Sequence, residues 1–190
     1  MTFKIFGVVF EISYLFACSV LLCIACDRTN SFLPMLLSIA CHELGHIVML
    51  TLFGCKIMKF KMIAGTVGIE FEGHLAGAKN IAALLAGPVV NLILSVMGLL
   101  FGNDVWFLIN VILAVYNLLP IKGLDGYDVF EETVGSVIGQ RVFLIITYCF
   151  SVIFLLCLAA FFIISVPKYG INYSIFLVLA YVILQFALKK

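Results

Sequence analysis

Residues 41–50 read CHELGHIVML, two histidines and a glutamate set in a run otherwise suited to an apolar environment. His42 and His46 are four apart, so on a helix they share one face, and Glu43 lies one step round the same turn. This is H-E-x-x-H, in which two imidazoles reach one metal ion and a glutamate stands beside it as a base. Three fixed residues in five positions also arise by chance, so the surroundings decide how the pattern is read.

Those surroundings are apolar to a degree unusual for a soluble chain. Of 190 residues, 65% are hydrophobic and 11% charged, and the mean hydropathy is +1.26, against about half apolar in an ordinary soluble domain. A water-soluble fold cannot hide that much apolar surface, so the chain reads as a polytopic membrane protein. A net charge of +1 gives no footprint for nucleic acid. Seven scattered cysteines read as packing thiols, including the CxxC of Cys23 and Cys26. The N-terminal apolar run is too long for a signal-peptide core and is expected to stay as a membrane helix.

Apolar segments fall at about 3–26, 31–53, 81–101, 105–119, 142–166 and 171–188, which gives an all-α fold of about six transmembrane helices. With six spans, nine basic residues collect on one side, leaving only Arg28 and Lys168 on the other. That asymmetry predicts cytoplasmic termini. Segment 105–119 is too short: fifteen residues at about 1.5 Å each reach about 22 Å, against about 30 Å of hydrocarbon. The following residues 120–128, PIKGLDGYD, would then lie below the membrane surface, where irregular backbone is tolerated only against protein or a wet cavity. Between the second and third long segments, Lys59 and Lys61 alternate with apolar residues, as do Glu70 and Glu72. This reads either as a β-hairpin pairing Lys61 with Glu70 and Lys59 with Glu72, or as an amphipathic interfacial loop.

Ionisable groups inside a span cost about 3 kcal/mol each at the membrane centre, so His42, Glu43 and His46 call for a cavity and a partner. Zinc is the natural one, since a catalytic site takes three protein ligands and water. Glu43 is then the general base. Asp125 is the best third ligand, because in the predicted orientation the second and fourth segments both bring their motifs towards the cytoplasmic leaflet. Glu11 reads as an intramembrane acid or as an interfacial one, the latter preferred. His74 reads as an interfacial histidine, Cys41 as packing, and Pro88 as a kink in the third span.

Taken together, these residues resemble the site-2 protease family of intramembrane zinc metalloproteases. The pattern N-x-x-P-x-x-x-L-D-G is matched by Asn117, Pro120, Leu124, Asp125 and Gly126, H-E-x-x-H by His42, Glu43 and His46, and G-P-x-x-N by Gly87, Pro88 and Asn91. The resemblance spans about 42–126. It implies a three-helix catalytic core, zinc held by His42, His46 and Asp125, Glu43 as catalytic base, and cleavage in or next to the membrane segment of an anchored protein substrate. Asn91 and Asn117, which could equally knit helices together, are expected to position that substrate. The small six-span form with a short membrane-associated hairpin is most like the bacterial stage IV sporulation type, which processes a membrane-tethered sigma-factor precursor. The expected organisation is a single membrane-embedded domain over 1–190, with its catalytic core at about 31–130 and no PDZ or CBS domain, in the bacterial cytoplasmic membrane. Its partners would be the substrate, the bilayer and regulatory membrane proteins. The rival readings are a catalytically inactive membrane scaffold and an ion or solute transporter, and no internal repeat favours the latter.

Overall fold

The computed structural model describes residues 1–5, 7–27, 31–63 and 66–169. Strands β1 (Thr2–Ile5) and β2 (Val8–Ile12) precede α1 (Tyr14–Cys26) and α2 (Phe32–Leu52). Strands β3 (Lys56–Ile63) and β4 (Thr66–Glu72) follow, then α3 (Ala78–Leu100) and α4 (Asp104–Asn117). The chain continues through α5 (Asp125–Phe130), a π-helical turn (Glu131–Gly135), α6 (Ser136–Ile138) and α7 (Gln140–Tyr169).

Three helices, Phe32–Leu52, Ala78–Leu100 and the Gln140–Cys157 part of α7, are long and apolar enough to cross a membrane, while α4 is apolar but shorter. Their amphipathy is inverted relative to a soluble protein. On α2, Leu33, Leu37, Leu44, Val48 and Leu52 point outward, whereas Ser38, His42 and Gly45 are buried. On α3 the buried residues include Asn91, Ser95 and Gly98. Lipid is as apolar as leucine, so such helices pack through small residues and internal hydrogen bonds instead of hydrophobic exclusion.

Helix ends explain how the chain turns between layers. Asp27 accepts from the backbone N–H groups of Ser31 and Phe32, satisfying the start of α2. At the other end Gly54 takes φ +81° and Cys55 N–H bonds back to Leu50 C=O at 2.9 Å, a Schellman closure with Leu50 and Cys55 packed in one buried cluster. The same device ends α3, where Gly102 takes φ +68° and Asn103 N–H reaches Gly98 C=O at 2.8 Å. Asn103 then caps α4 by accepting from Trp106 N–H. The α3–α4 hairpin is therefore tight.

The all-α expectation is corrected by a four-stranded sheet in the order β1-β2-β3-β4, with β2 and β3 parallel and the other pairs antiparallel. The expected first span at 3–26 is instead two strands followed by a 13-residue helix. Only Lys4 and Glu11 interrupt the apolar strand sequence, so its period of two is hidden from a reading based on hydropathy. The rings of Phe3, Phe10 and Phe60 stack across three strands at 5.4 and 5.1 Å. Glu11, far from being an isolated intramembrane acid, pairs with Lys59. The 57–72 hairpin forms, but its register sets Lys59 opposite Glu70 and Lys56 opposite Glu72, with an irregularity between Ile57 and Lys59. Lys61 still reaches Glu70 diagonally, and this hydrogen-bonded contact holds the Glu70 carboxyl below its ordinary value. Six spans are not established: the segment expected at 171–188 lies outside the described residues.

After α4 the backbone runs irregularly through 118–124, with Ile121 and Leu124 buried against protein. The π-helical turn is tied back to α3, since Glu132 accepts from Gly77 N–H at 2.8 Å and from Asn80 Nδ2 at 3.2 Å.

Close approach of α3 and α4 rests on Gly98, where a Cβ would lie 2.7 Å from the backbone nitrogen of Phe107. Gly98→Ala should gain about 1 kcal/mol of helix propensity but lose about 1–3 kcal/mol to overpacking against rigid backbone. A net fall in thermal unfolding temperature in detergent is expected, and an unchanged temperature would contradict the contact.

Candidate metal centre

Helical spacing in α2 sets the rings of His42 and His46 edge to face with centroids 4.8 Å apart. The irregular 118–124 segment brings Asp125, the first residue of α5, up to them. His42 Nε2 and His46 Nε2 are 3.2 Å apart, and Asp125 Oδ2 lies 3.1 and 3.3 Å from them. Among the described residues this is the group of His, Cys, Asp or Glu side chains able to hold a metal ion. Gly126 is essential to the approach, because a Cβ there would lie 2.2 Å from the carbonyl oxygen of Leu118.

The third helix supplies the wall. A Cβ on Gly87 would fall 2.3 Å from His46 Nε2 and 2.7 Å from His42 Nε2, so only glycine leaves space beside the three atoms. Gly45, one residue before His46, lets α2 and α3 come together: a Cβ there would meet Ala86 C=O at 2.8 Å.

Protonation decides what this triangle accepts. His46 Nδ1 is 2.8 Å from Ala83 C=O, which can only accept, so Nδ1 carries a proton and, in the neutral ring that a metal needs, Nε2 keeps a lone pair. His42 Nδ1 lies 2.6 Å from Asn91 Oδ1, which places its proton the same way. Asp125 Oδ2 is buried and makes no geometrically adequate hydrogen bond despite its short distances to both imidazoles. Three acceptor atoms thus stand within 3.3 Å of one another. A single proton can sit on only one edge of the triangle, whereas a metal cation meets all three. Tetrahedral ligands about 2.0–2.1 Å from zinc stand about 3.3 Å apart, close to the observed sides. The donor set therefore fits zinc.

Glu43 follows His42 in α2 and is partly buried, and its carboxylate makes no hydrogen bond among the described residues. Asn91 is fully buried with both ends of its amide engaged, Oδ1 on His42 and Nδ2 on Asn110 Oδ1 at 3.0 Å. Asn117, by contrast, donates to Leu113 C=O within its own helix and touches neither histidine by a hydrogen bond. His74 is exposed and apart from the cluster. Sequence reading missed Asn110, whose signal was available as an amide inside the apolar run of α4, and missed the Ala83 carbonyl, which no sequence pattern reveals.

The fold is one already seen in a solved structure. A site-2 protease from Methanocaldococcus jannaschii superposes with a TM-score of 0.68 at 21% identity, covering 96% of this chain and 91% of that one. The fold is that of a site-2 protease. The likeness in fold extends over nearly the whole chain. Two curated proteins are similar in sequence. A Synechocystis protein with the provisional name zinc metalloprotease sll0528 is 26% identical over 118 residues, 55% of this chain and 31% of its own length. Stage IV sporulation protein FB of Bacillus subtilis is 27% identical over 108 residues, 51% of this chain and 38% of its own. The match thus spans about a third of each curated relative. No protein-family model matches the chain.

Gly87→Ala should leave α3 helical, since alanine is the better helix former, while its methyl group occupies the space beside both Nε2 atoms. Loss of stoichiometric zinc from a variant that still unfolds cooperatively is expected, and full zinc content would contradict the wall.

Proposed function

We propose that the protein is an intramembrane zinc metalloprotease of the site-2 type, hydrolysing a peptide bond in or next to the membrane segment of an anchored protein. The observation that carries this reading is the convergence of His42, His46 and Asp125 from two distant segments, with their ligand atoms within 4.8 Å of one another. Zinc held there would supply Lewis acidity and lower the pKa of water towards neutrality. Glu43, one residue from His42 with its carboxylate uncommitted, takes the proton from the attacking water and delivers it to the leaving amine. The wall of α3 at Gly87 and the outward leucines and valines of α2 and α3 keep bulk water from this side of the site.

The chain would act as one membrane-embedded protease domain, with both termini in the cytoplasm and the site towards the cytoplasmic leaflet, as the basic residues suggest. A bacterial cytoplasmic membrane and a membrane-tethered sigma-factor precursor, which the resemblance to the sporulation type implies, are the setting and the substrate class to try first. A substrate helix must be extended before its peptide bonds are reachable. Strand β4 lies at the edge of the sheet, and an extended segment can add to such an edge through main-chain hydrogen bonds.

Two measurements test this reading. Zinc analysis of detergent-purified protein should give one ion per chain, lost or weakened in both His42→Ala and Asp125→Ala. Glu43→Gln should retain zinc and fold while cleavage of a reconstituted single-span substrate falls by at least about 10²-fold. Full cleavage by Glu43→Gln would remove the proposed base, and a zinc-free wild type supplied with metal would favour the inactive scaffold.

A further inference from the structure

The hydrogen bond between His42 and Asn91 leaves one matter open, because a primary amide can present either its oxygen or its nitrogen. Presented with NH₂, His42 Nδ1 would be an acceptor and its proton would move to Nε2, where it would occupy the metal-facing position. Something must hold the Asn91 amide in one sense.

The neighbouring contacts supply it. Asn110 donates from Nδ2 to Trp106 C=O at 2.9 Å. A carbonyl cannot donate, so the amide of Asn110 has only this orientation, and its Oδ1 must face Asn91. Asn91 can then meet it only with Nδ2, at 3.0 Å, which turns Asn91 Oδ1 towards His42 at 2.6 Å. Both amides have 0% exposure, so no solvent offers another partner. Each link is directional, and the direction originates at a backbone carbonyl of α4.

We propose that Asn110 is a positioning residue for the metal centre: through Asn91 it fixes the His42 tautomer that leaves Nε2 free to bind the ion. This rests on the metal-site reading above, and it assigns a task to an asparagine outside the three sequence motifs. Groups that orient a histidine ligand through its other nitrogen change metal affinity by about 10–100-fold when removed.

The test uses the full-length protein in detergent. In metal-free wild type labelled with ¹⁵N in its imidazoles, His42 should carry its proton on Nδ1, and a proton on Nε2 would overturn the proposal without any variant. Asn110→Leu keeps the volume and removes the polarity. Zinc affinity, measured by competition with a chromophoric chelator, should fall by about 10–100-fold in this variant, and the His42 resonances should move towards the Nε2–H form while those of His46 stay. Asn91→Asp offers only acceptor oxygens to His42, so adding it to Asn110→Leu should restore affinity to within about threefold of Asn91→Asp alone. A purely structural role for Asn110 would not give that rescue. Should Asn110→Leu fail to fold, Asn110→Ala is read in the same way, with the wild-type tautomer deciding independently. Zinc binding by wild type and by folded Asn110→Leu with equal affinity would overturn the relay alone. A wild type that takes no zinc would overturn the metal-site reading and the relay with it.

Discussion

Three potential ligand atoms, brought together by His42, His46 and Asp125 among apolar helices, are the constraint around which the rest of the structure is arranged. An ionised carboxylate in apolar surroundings is tolerated only with a partner, and two neutral imidazoles with their protons turned away cannot provide one. A cation resolves this for all three groups. Gly45, Gly87 and Gly126 stand where a methyl group would collide, at Gly45 with the backbone of α3, at Gly87 with both imidazoles and at Gly126 with the carbonyl of Leu118.

The same constraint explains the shape of the fourth segment. Helix α4 stops after 14 residues, and irregular backbone follows it and brings Asp125 up to the histidines. That backbone must find its hydrogen bonds in protein, and turns such as Ile121 N–H to Leu119 C=O and Leu124 N–H to Ile121 C=O meet part of the need. Glu132, clamped on the start of α3, holds the helical stretch after Asp125 against the helix that walls the site.

Legibility from sequence followed the range of the interactions. The two histidines were readable because four residues make one helical turn, a local fact. Asp125 was reached through the orientation read from the basic residues, which is also drawn from one-dimensional quantities. The N-terminal strands were misread as part of a span, because a nearly unbroken apolar run carries little sign of its period. The hairpin was one of two readings, and its register differs from the expected one, charge pairing adapting diagonally, as Lys61 does with Glu70. Asn110 was visible only as a polar residue in an apolar helix, with nothing local to say what it faced.

By itself, then, the sequence determined the chemistry on offer: paired imidazoles, an adjacent carboxylate, an aspartate after a short segment and an apolar surface suited to lipid. Local periodicity and composition are enough for that. Tertiary structure alone decided how the chemistry is set, because His42 takes its orientation from a residue 49 positions away, His46 from one 37 away, and Asn91 from one 19 away. Hydrogen-bond direction between such residues depends on which helices cross and where glycine lets them touch, and neither is encoded in the spacing of residues along one element.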